Sequence, residues 1–192
     1  MHHRDWHIVD STYIVKDRWL SLRADVCRLP SGRTIAPYYV FEYPSWVNVV
    51  ALTEDAQVVL VRQYRHGVQR TLIELPCGGV EVQDASPLAA ARRELLEETG
   101  YTSEHFTQIG VLSANPANHT NMTYCFLATS VRRIADPVLD DTEQIEVMLL
   151  PLEEVIERMH NGDLLQALHV SALFFALRFS LHDLWPPNTT GY

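Results

Sequence analysis

The sequence predicts an α/β fold: an α/β/α sandwich with a mixed sheet, plus a small antiparallel β subdomain at the N-terminus. Three observations support this prediction. Strand patterns fill residues 6–50, strands and helices then alternate, and a well-delimited helical pattern covers residues 87–98. We therefore expect an N-terminal β subdomain at residues 1–45, a main domain at 46–185 and a tail at 186–192.

Composition limits the class of protein. The 192 residues are 47% hydrophobic and 20% charged, which predicts a folded domain with a sizeable core. The net charge of −9, without a stripe of Lys or Arg, argues against a nucleic-acid partner. Three cysteines without metal-ligand spacing favour reduced thiols and a cytoplasmic location. The longest apolar stretch, residues 164–184, is interrupted by polar residues, so it predicts a buried helix and not a membrane span.

The N-terminal subdomain is predicted from two strand patterns and a turn. Residues 19–29 alternate in places, Pro30-Ser-Gly32 forms a turn, and residues 34–43 form the next strand. A meander of this size cannot bury a core of its own. We therefore expect it to pack on the main domain or on a second subunit.

The main domain is predicted element by element. Ser86 suits the N-cap of its first helix, Pro87 the first helical position and Gly100 the residue just past the end. Before that helix we predict strands at 46–52, 57–64 and 71–76, the last ending in Cys77-Gly78-Gly79. After it we predict strands at 106–113, 122–130 and 145–150 and helices at 152–160 and 164–184.

The first of these helices carries three acids that do not favour its stability. Helical spacing places Glu94, Glu97 and Glu98 on one face. Like charges four residues apart repel, and acids near a helix C-terminus oppose its dipole, each by roughly 0.3–1 kcal/mol. A divalent cation would turn this repulsion into binding, so we predict a metal site here.

Residues 93–101, Arg-Glu-Leu-Leu-Glu-Glu-Thr-Gly-Tyr, resemble the second half of the Nudix box, G-x5-E-x7-R-E-U-x-E-E-x-G-U. Counting back places Gly79 at the first glycine and Ala85 at the first glutamate. An alternative alignment begins at Gly78 and uses Asp84 as the acid, with one inserted residue. In the Nudix family this acid pairs with the arginine of the box, so its replacement affects the loop more than catalysis.

The resemblance implies metal-dependent hydrolysis of a nucleoside diphosphate linked to another group. Its cofactor would be one to three Mg²⁺ ions, with Mn²⁺ as the substitute, because a hard cation takes oxygen ligands and neutralises the pyrophosphate. Glu94, Glu97 and Glu98 would bind the metal together with the backbone carbonyl of Gly78. Arg93 would orient these acids.

A further acid is expected from residues 140–147. This stretch resembles the acidic loop that supplies the catalytic glutamate in the ADP-ribose pyrophosphatase branch of the family. On that pattern Glu143 is either the base that deprotonates water or a metal ligand, and we favour the base. Asp141 is the substitute candidate, and an acidic surface turn without a catalytic role is the alternative.

Two stretches narrow the substrate. Residues 63–65 and 73–76 resemble the QYR and ELPxG motifs of ADP-ribose and sugar-nucleotide pyrophosphatases. Arg65 would then bind a phosphate beside Glu74, and a salt bridge between the two is the alternative or coexisting arrangement. Pro116 occupies the position of a substrate-site proline in this branch, although the residues around it depart from the usual pattern.

The N-terminal strands also resemble this branch, in which they are exchanged within a homodimer and supply an aromatic side chain to the base. Trp19 occupies that place, and stacking would contribute about 1–3 kcal/mol. A tryptophan that fills a core or an interface is the alternative.

The resemblance thus implies a homodimer acting on a small nucleotide, most simply by hydrolysing ADP-ribose to AMP and ribose 5-phosphate. The alternatives are a GDP-sugar or dinucleotide polyphosphate pyrophosphatase and a non-catalytic nucleotide sensor.

Overall fold

The computed structural model describes residues 5–140 and 142–180. The chain divides into two compact units. The first comprises the described residues up to Ser45 together with Ser113–Met122, and the second comprises Trp46–Leu112 and the described residues from Thr123 onward. Asp141, the end of the last predicted helix and the tail predicted at 186–192 lie outside the described residues.

The first unit contains three strands, β1 (His7–Lys16), β2 (Ser21–Arg28) and β3 (Thr34–Glu42). They form an antiparallel sheet in the order β1-β2-β3. The turn predicted at residues 30–32 connects β2 to β3, and Gly32 adopts a positive φ of 82° there. A left-handed residue of this kind favours glycine. The antiparallel N-terminal sheet that the sequence predicts is therefore confirmed.

The loop Ser113–Met122 belongs to the first unit although it is distant in sequence. The N–H of Phe41 donates to the carbonyl of Asn118 at 2.7 Å, and the N–H of Thr120 donates to the carbonyl of Phe41 at 3.1 Å. The ring of His119 packs edge-on against Phe41 and Tyr43, with centroids 5.4 and 5.6 Å away. Backbone hydrogen bonds and aromatic contacts thus join the loop to the end of β3 and to Tyr43 just after it.

The described residues of the second unit form nine strands: β4 (Trp46–Leu52), β5 (Gln57–Arg65), β6 (Arg70–Glu74), β7 (Cys77–Gly79), β8 (Tyr101–Thr102), β9 (His105–Leu112), β10 (Thr123–Thr129), β11 (Arg132–Arg133) and β12 (Ile145–Pro151). Seven of them make up one mixed sheet. The path β12-β5-β4-β10-β9 runs across it, with β6 paired to β5 and β7 paired to β4. Strands β4 and β10 are parallel, and the other pairs are antiparallel. Strands β8 and β11 form a separate two-stranded ladder.

Helices cover both faces of this sheet. The first, α1 (Pro87–Thr99), buries Ala90, Ala91 and Leu95 against one face. On the other face, α2 (Leu152–Asn161) and α3 (Ala167–Ser180) contribute to a second core that includes Val155, Leu173 and Ala176. The predicted α/β/α sandwich is therefore confirmed. No described helix is both long and apolar enough to cross a bilayer.

The ends of α1 follow the sequence prediction. The Oγ of Ser86 accepts the N–H of Ala89 at 3.2 Å. Gly100 ends the helix with a φ of 74°, and its N–H donates to the carbonyl of Leu96 at 2.8 Å. A Cβ at Gly100 would also overlap the carbonyl of Ala135. The position therefore requires glycine both for its backbone conformation and for space.

The boundaries of β7 and α3 differ from the prediction. The residues Cys77–Gly79 form the short strand β7, paired with Trp46–Asn48, where the sequence suggested only a glycine turn. Helix α3 begins at Ala167 and not at Leu164, because the side-chain Oε1 of Gln166 accepts the N–H of Leu168 at 3.3 Å and so caps the first turn.

Candidate active site

The three acids of α1 lie in three different environments beside β7. Glu98 is buried, and its Oε2 accepts the N–H of Cys77 at 2.9 Å. Glu94 and Glu97 each accept a hydrogen bond from Nη1 of Arg93, at 2.9 and 2.8 Å. Glu97 remains half-exposed. The helix thus presents all three carboxylates next to the glycine strand, held by a strand amide and by one guanidinium.

Arg93 also fixes the loop that precedes the helix. Its Nη2 donates to the carbonyl of Gly79 and to Oδ2 of Asp84, both at 3.0 Å. Its Nε donates to Oδ1 of Asp84 at 3.2 Å, so the pair is bidentate. This arginine lowers the pKa of Asp84. Asp84, and not Ala85, therefore makes the pairing expected of the first box acid, which favours the alignment that begins at Gly78.

Buried carboxylates at this site are costly without a cation. Burial raises the pKa of Glu98 to about 8 and that of Glu94 to about 7. The charge of Glu143 raises the pKa of both, so the loop before β12 brings this acid close to them. Glu143 itself accepts the N–H of Asp140 through Oε2 at 3.2 Å. Two buried acids beside a third carboxylate are a favourable environment for a divalent cation.

The residues fit a hard metal ion. A Cβ on Gly78 would overlap the carboxylate of Glu94, so glycine alone lets this backbone lie so close to that acid. Carboxylates and peptide carbonyls are the ligands that Mg²⁺ takes. Among the described residues, no three His, Cys, Asp or Glu side chains lie close enough together to form a metal-binding cluster by themselves. Arg93 and the amide of Cys77 orient these acids beside the glycine strand.

A cavity of about 550 Å³ adjoins the acids, within the size range of small-molecule sites. Glu98, Glu143 and Gly78 line it together with Arg65 and Glu74. One cavity in the second unit therefore brings together five of the site residues predicted from the sequence, namely Arg65, Glu74, Gly78, Glu98 and Glu143.

Arg65 forms the salt bridge that the sequence analysis held as an alternative. Its Nε and Nη2 both lie 2.7 Å from Oε2 of Glu74, a carboxylate that is almost fully buried. The guanidinium retains other N–H groups and is 39% exposed. The salt bridge is thus observed, and a phosphate contact by Arg65 stays a prediction.

Trp19 and Pro116 belong to the first unit. Trp19 was expected at the start of a strand, and this is wrong: it lies in the turn between β1 and β2, 71% exposed. The cause is Asp17, whose Oδ1 accepts the N–H groups of Trp19 and Leu20 at 2.7 and 2.8 Å and so favours a turn. Pro116 lies in the loop Ser113–Met122. A substrate role for Trp19 or Pro116 stays a prediction.

The sequence analysis missed two polar residues that line the cavity, Asn48 and His169. Both are almost fully buried, with 2% and 3% exposure. Each interrupts an apolar run, Asn48 in strand β4 and His169 in helix α3. This interruption was the available signal, because a polar side chain inside an apolar element requires a partner.

The chain is similar to several proteins of known activity. An ADP-ribose pyrophosphatase of Bacillus subtilis (strain 168) is 29% identical over 155 residues, covering 80% of this chain and 83% of that protein. A GDP-mannose pyrophosphatase of Enterobacter sp. (strain 638) is 31% identical over 136 residues, covering 62% and 70%. The solved structure of an ADP compounds hydrolase superposes with a TM-score of 0.82 at 21% identity, covering 94% of this chain and 96% of that one.

Two family models cover most of the chain. The NUDIX domain matches residues 43–168, and the nucleoside diphosphate sugar hydrolase N-terminal domain matches residues 6–41. The first of these ranges contains α1 with its three acids, the glycine strand and Glu143. The resemblance seen in the sequence is thereby confirmed: the chain belongs to the Nudix family of hydrolases, which generally use divalent metal ions.

Proposed function

We propose that this protein hydrolyses the pyrophosphate bond of a nucleoside diphosphate sugar with Mg²⁺, most simply ADP-ribose to AMP and ribose 5-phosphate. The observation that carries the proposal is a group of three carboxylates beside a cavity of about 550 Å³. Glu98 and Glu143 line this cavity, and Glu94 lies one helical turn before Glu98. Burial, with the charge of Glu143 as a smaller contribution, raises the pKa of Glu94 and of Glu98. The names of the ADP-ribose and GDP-mannose pyrophosphatases among its relatives support the substrate class.

The acids of α1 and the glycine strand would hold the metal. Glu94, Glu97 and Glu98 supply carboxylate oxygens, and Gly78 supplies a backbone carbonyl. A bound divalent ion neutralises the charge of the pyrophosphate, which otherwise repels an incoming oxygen nucleophile. Arg93 would hold Glu94 and Glu97 in place. Its hydrogen bonds to Gly79 and Asp84 attach the glycine strand and the following loop to the helix.

Glu143 would act as the general base. Its carboxylate lines the cavity from a loop, so it can approach a water molecule directed at phosphorus. When Glu143 takes the proton, the water oxygen forms a new bond to one phosphorus. The bond from that phosphorus to the bridging oxygen breaks, and the other phosphate leaves with the bridging oxygen. Arg65 would contact a phosphate, Trp19 the base and Pro116 the bound sugar nucleotide.

The test is a panel of nucleotides incubated with Mg²⁺, with the products identified by mass spectrometry. We expect turnover of ADP-ribose to AMP and ribose 5-phosphate, its loss on chelation with EDTA, and its recovery with Mg²⁺ or Mn²⁺. Activity that survives exhaustive removal of metal would contradict the proposed chemistry. Absence of turnover with every nucleotide would instead favour the non-catalytic sensor.

A GDP-sugar is the second candidate substrate. The GDP-mannose pyrophosphatase among the relatives favours it, as does the departure of residues 115–121 from the pattern usual for ADP-ribose enzymes. The same panel separates the two, because the ratio of kcat/KM for ADP-ribose and GDP-mannose ranks them directly. Dinucleotide polyphosphates belong in the panel as the third class.

We further predict a homodimer formed through the first unit. Every described side chain of β1 except Val15 is exposed, and apolar residues contribute to this surface. The exposed apolar residues of β1 include Ile8, Tyr13 and Ile14, and Trp6 just before the strand is exposed as well. Burying them against a second copy removes apolar area from water. Sedimentation velocity at micromolar concentration should give a dimer, and a monomer there would contradict the prediction.

A cytoplasmic location stays part of the proposal.

Metal affinity should rise with pH. Protons compete with metal for Glu94 and Glu98, whose pKa values are about 7 and about 8 in the metal-free protein. Raising the pH from 6 to 8.5 removes this competition, so the apparent affinity for Mn²⁺ should increase at least about tenfold. Calorimetric titration across this range measures it. An affinity independent of pH would show that these acids do not bind the ion.

A further inference from the structure

We propose that Asn48 and His169 are specificity-determining residues: as two neutral hydrogen-bond donors in the cavity, they bind oxygen atoms of the sugar attached to the second phosphate. They would favour nucleoside diphosphate sugars over nucleotides that end in a phosphate. This inference rests on the proposed function and concerns a part of the site that the box residues do not form.

Asn48 is a buried amide without a donor contact. It lies in the central strand β4, with 2% exposure, and lines the cavity. Its Nδ2 has no hydrogen-bond partner in the described part of the chain. An unpaired buried donor is destabilising, and a valine at this position would avoid that cost. The other residues of the strand are apolar, including the neighbours Val47, Val49 and Val50.

His169 is fixed in one tautomer by the backbone. The N–H of Leu75 donates to Nδ1 at 3.3 Å, so Nδ1 must be unprotonated and Nε2 carries the hydrogen. Burial, and next the charge of Arg65, lower the pKa of the ring to about 3. The ring is therefore neutral at physiological pH. No hydrogen bond described for this side chain uses Nε2, which leaves one donor for a ligand.

The charges around these donors select an uncharged ligand group. Arg65 is the only Lys or Arg side chain among the described residues that line the cavity, and in the proposed function it already contacts a phosphate of the pyrophosphate. A further phosphate or a carboxylate beyond the pyrophosphate would lose hydration here without gaining another cation. Sugar hydroxyl oxygens accept hydrogen bonds and carry no charge. Leu72, Leu165 and Leu168 supply apolar surface for the carbon face of a sugar ring.

The experiment compares two probes that cannot be hydrolysed. They are the α,β-methylene analogues of ADP-ribose and of ADP, titrated calorimetrically in the presence of Mg²⁺. The protein variants are His169→Asn and Asn48→Val. An asparagine at position 169 places Oδ1 where Nδ1 was, so the Leu75 amide keeps its acceptor and only the Nε2–H donor is lost. Valine suits a strand and removes the unpaired amide of Asn48.

The wild-type protein should bind the ADP-ribose analogue at least about tenfold more tightly than the ADP analogue. Each variant should lose about tenfold affinity for the ADP-ribose analogue and less than about twofold for the ADP analogue. The melting temperature of Asn48→Val should stay the same or rise, which a purely structural role would not produce. Val50→Ala, a buried change two residues along β4, is the control: it should lower the melting temperature and leave the affinity ratio unchanged.

Three results would overturn the inference. They are equal binding of the two analogues by the wild type or binding of neither, an unchanged affinity ratio in both variants, and a fall of the two affinities by the same factor. The last would place the donors against the nucleotide and not the sugar. Failure of the proposed function gives a different result, namely no metal-dependent turnover of any sugar nucleotide while the preference between the two analogues remains measurable.

Discussion

Glu143→Gln should lower kcat about 10²–10⁴-fold while KM changes little. Glutamine keeps the size of the side chain and cannot accept the proton of the attacking water, so the proton-transfer step alone is lost. Steady-state kinetics on the best substrate of the panel measures the effect. Glu146→Gln is the matched control, because Glu146 follows on β12, is 62% exposed and pairs with Arg62 at 3.2 Å.

A metal titration of the same variant separates the two roles of Glu143. If Glu143 mainly holds a metal ion, the variant should need more Mg²⁺ for half-maximal rate, and excess Mg²⁺ should restore activity. We expect the half-saturating Mg²⁺ concentration to change less than about threefold and the rate to remain low at saturation. Recovery to nearly the wild-type rate would overturn the base assignment. A fully active variant would indicate that Asp141 or Glu97 is the general base.

Glu98→Gln should abolish most turnover, by at least about 10²-fold, because a neutral amide removes a charged metal ligand. The same change should stabilise the metal-free protein. The pKa of Glu98 is about 8 in the folded protein against an ordinary value of 4.5. Between these values the unfolded chain loses its proton first, so the contribution of Glu98 to stability falls as pH rises through this window.

The gain should be measurable as a melting temperature. At pH 8.5 in EDTA we expect Glu98→Gln to unfold about 2–4 °C above wild type, which corresponds to about 1 kcal/mol. At pH 4.5 the two proteins should melt together. Glu157→Gln, an exposed acid on α2, controls for the loss of one negative charge. A variant that is less stable at both pH values would contradict the cost assigned to the buried charge of Glu98, and one as active as wild type would contradict the metal-ligand assignment.

The sequence predicted the sandwich and its first helix well because local and tertiary signals agree there. Ser86 and Gly100 fix the helix ends through short-range hydrogen bonds, and the spacing of Glu94, Glu97 and Glu98 follows from helical geometry. Side-chain competition with the backbone explains two boundary errors. Asp17 turns the chain at Trp19, and Gln166 delays the start of α3. Such contacts are not visible as periodicity.

The cavity residues were harder to predict because several elements supply them. Asn48 comes from β4, Arg65 from β5 and His169 from α3, and only the folded sheet brings them together. The choice between Ala85 and Asp84 was likewise open in the sequence. It depends on which carboxylate reaches Arg93, and the bidentate pair of Asp84 answers it.

The assignment of residues 113–122 to the first unit limits how the protein can be divided or recombined. A fragment of residues 1–45 would leave the N–H and carbonyl of Phe41 without the partners that Asn118 and Thr120 provide. A fragment beginning at Trp46 would carry a ten-residue loop whose pairing strand is missing. A chimera that takes its N-terminal sheet from a relative must therefore exchange both segments together, and one that exchanges only residues 1–45 joins a foreign strand to a native loop.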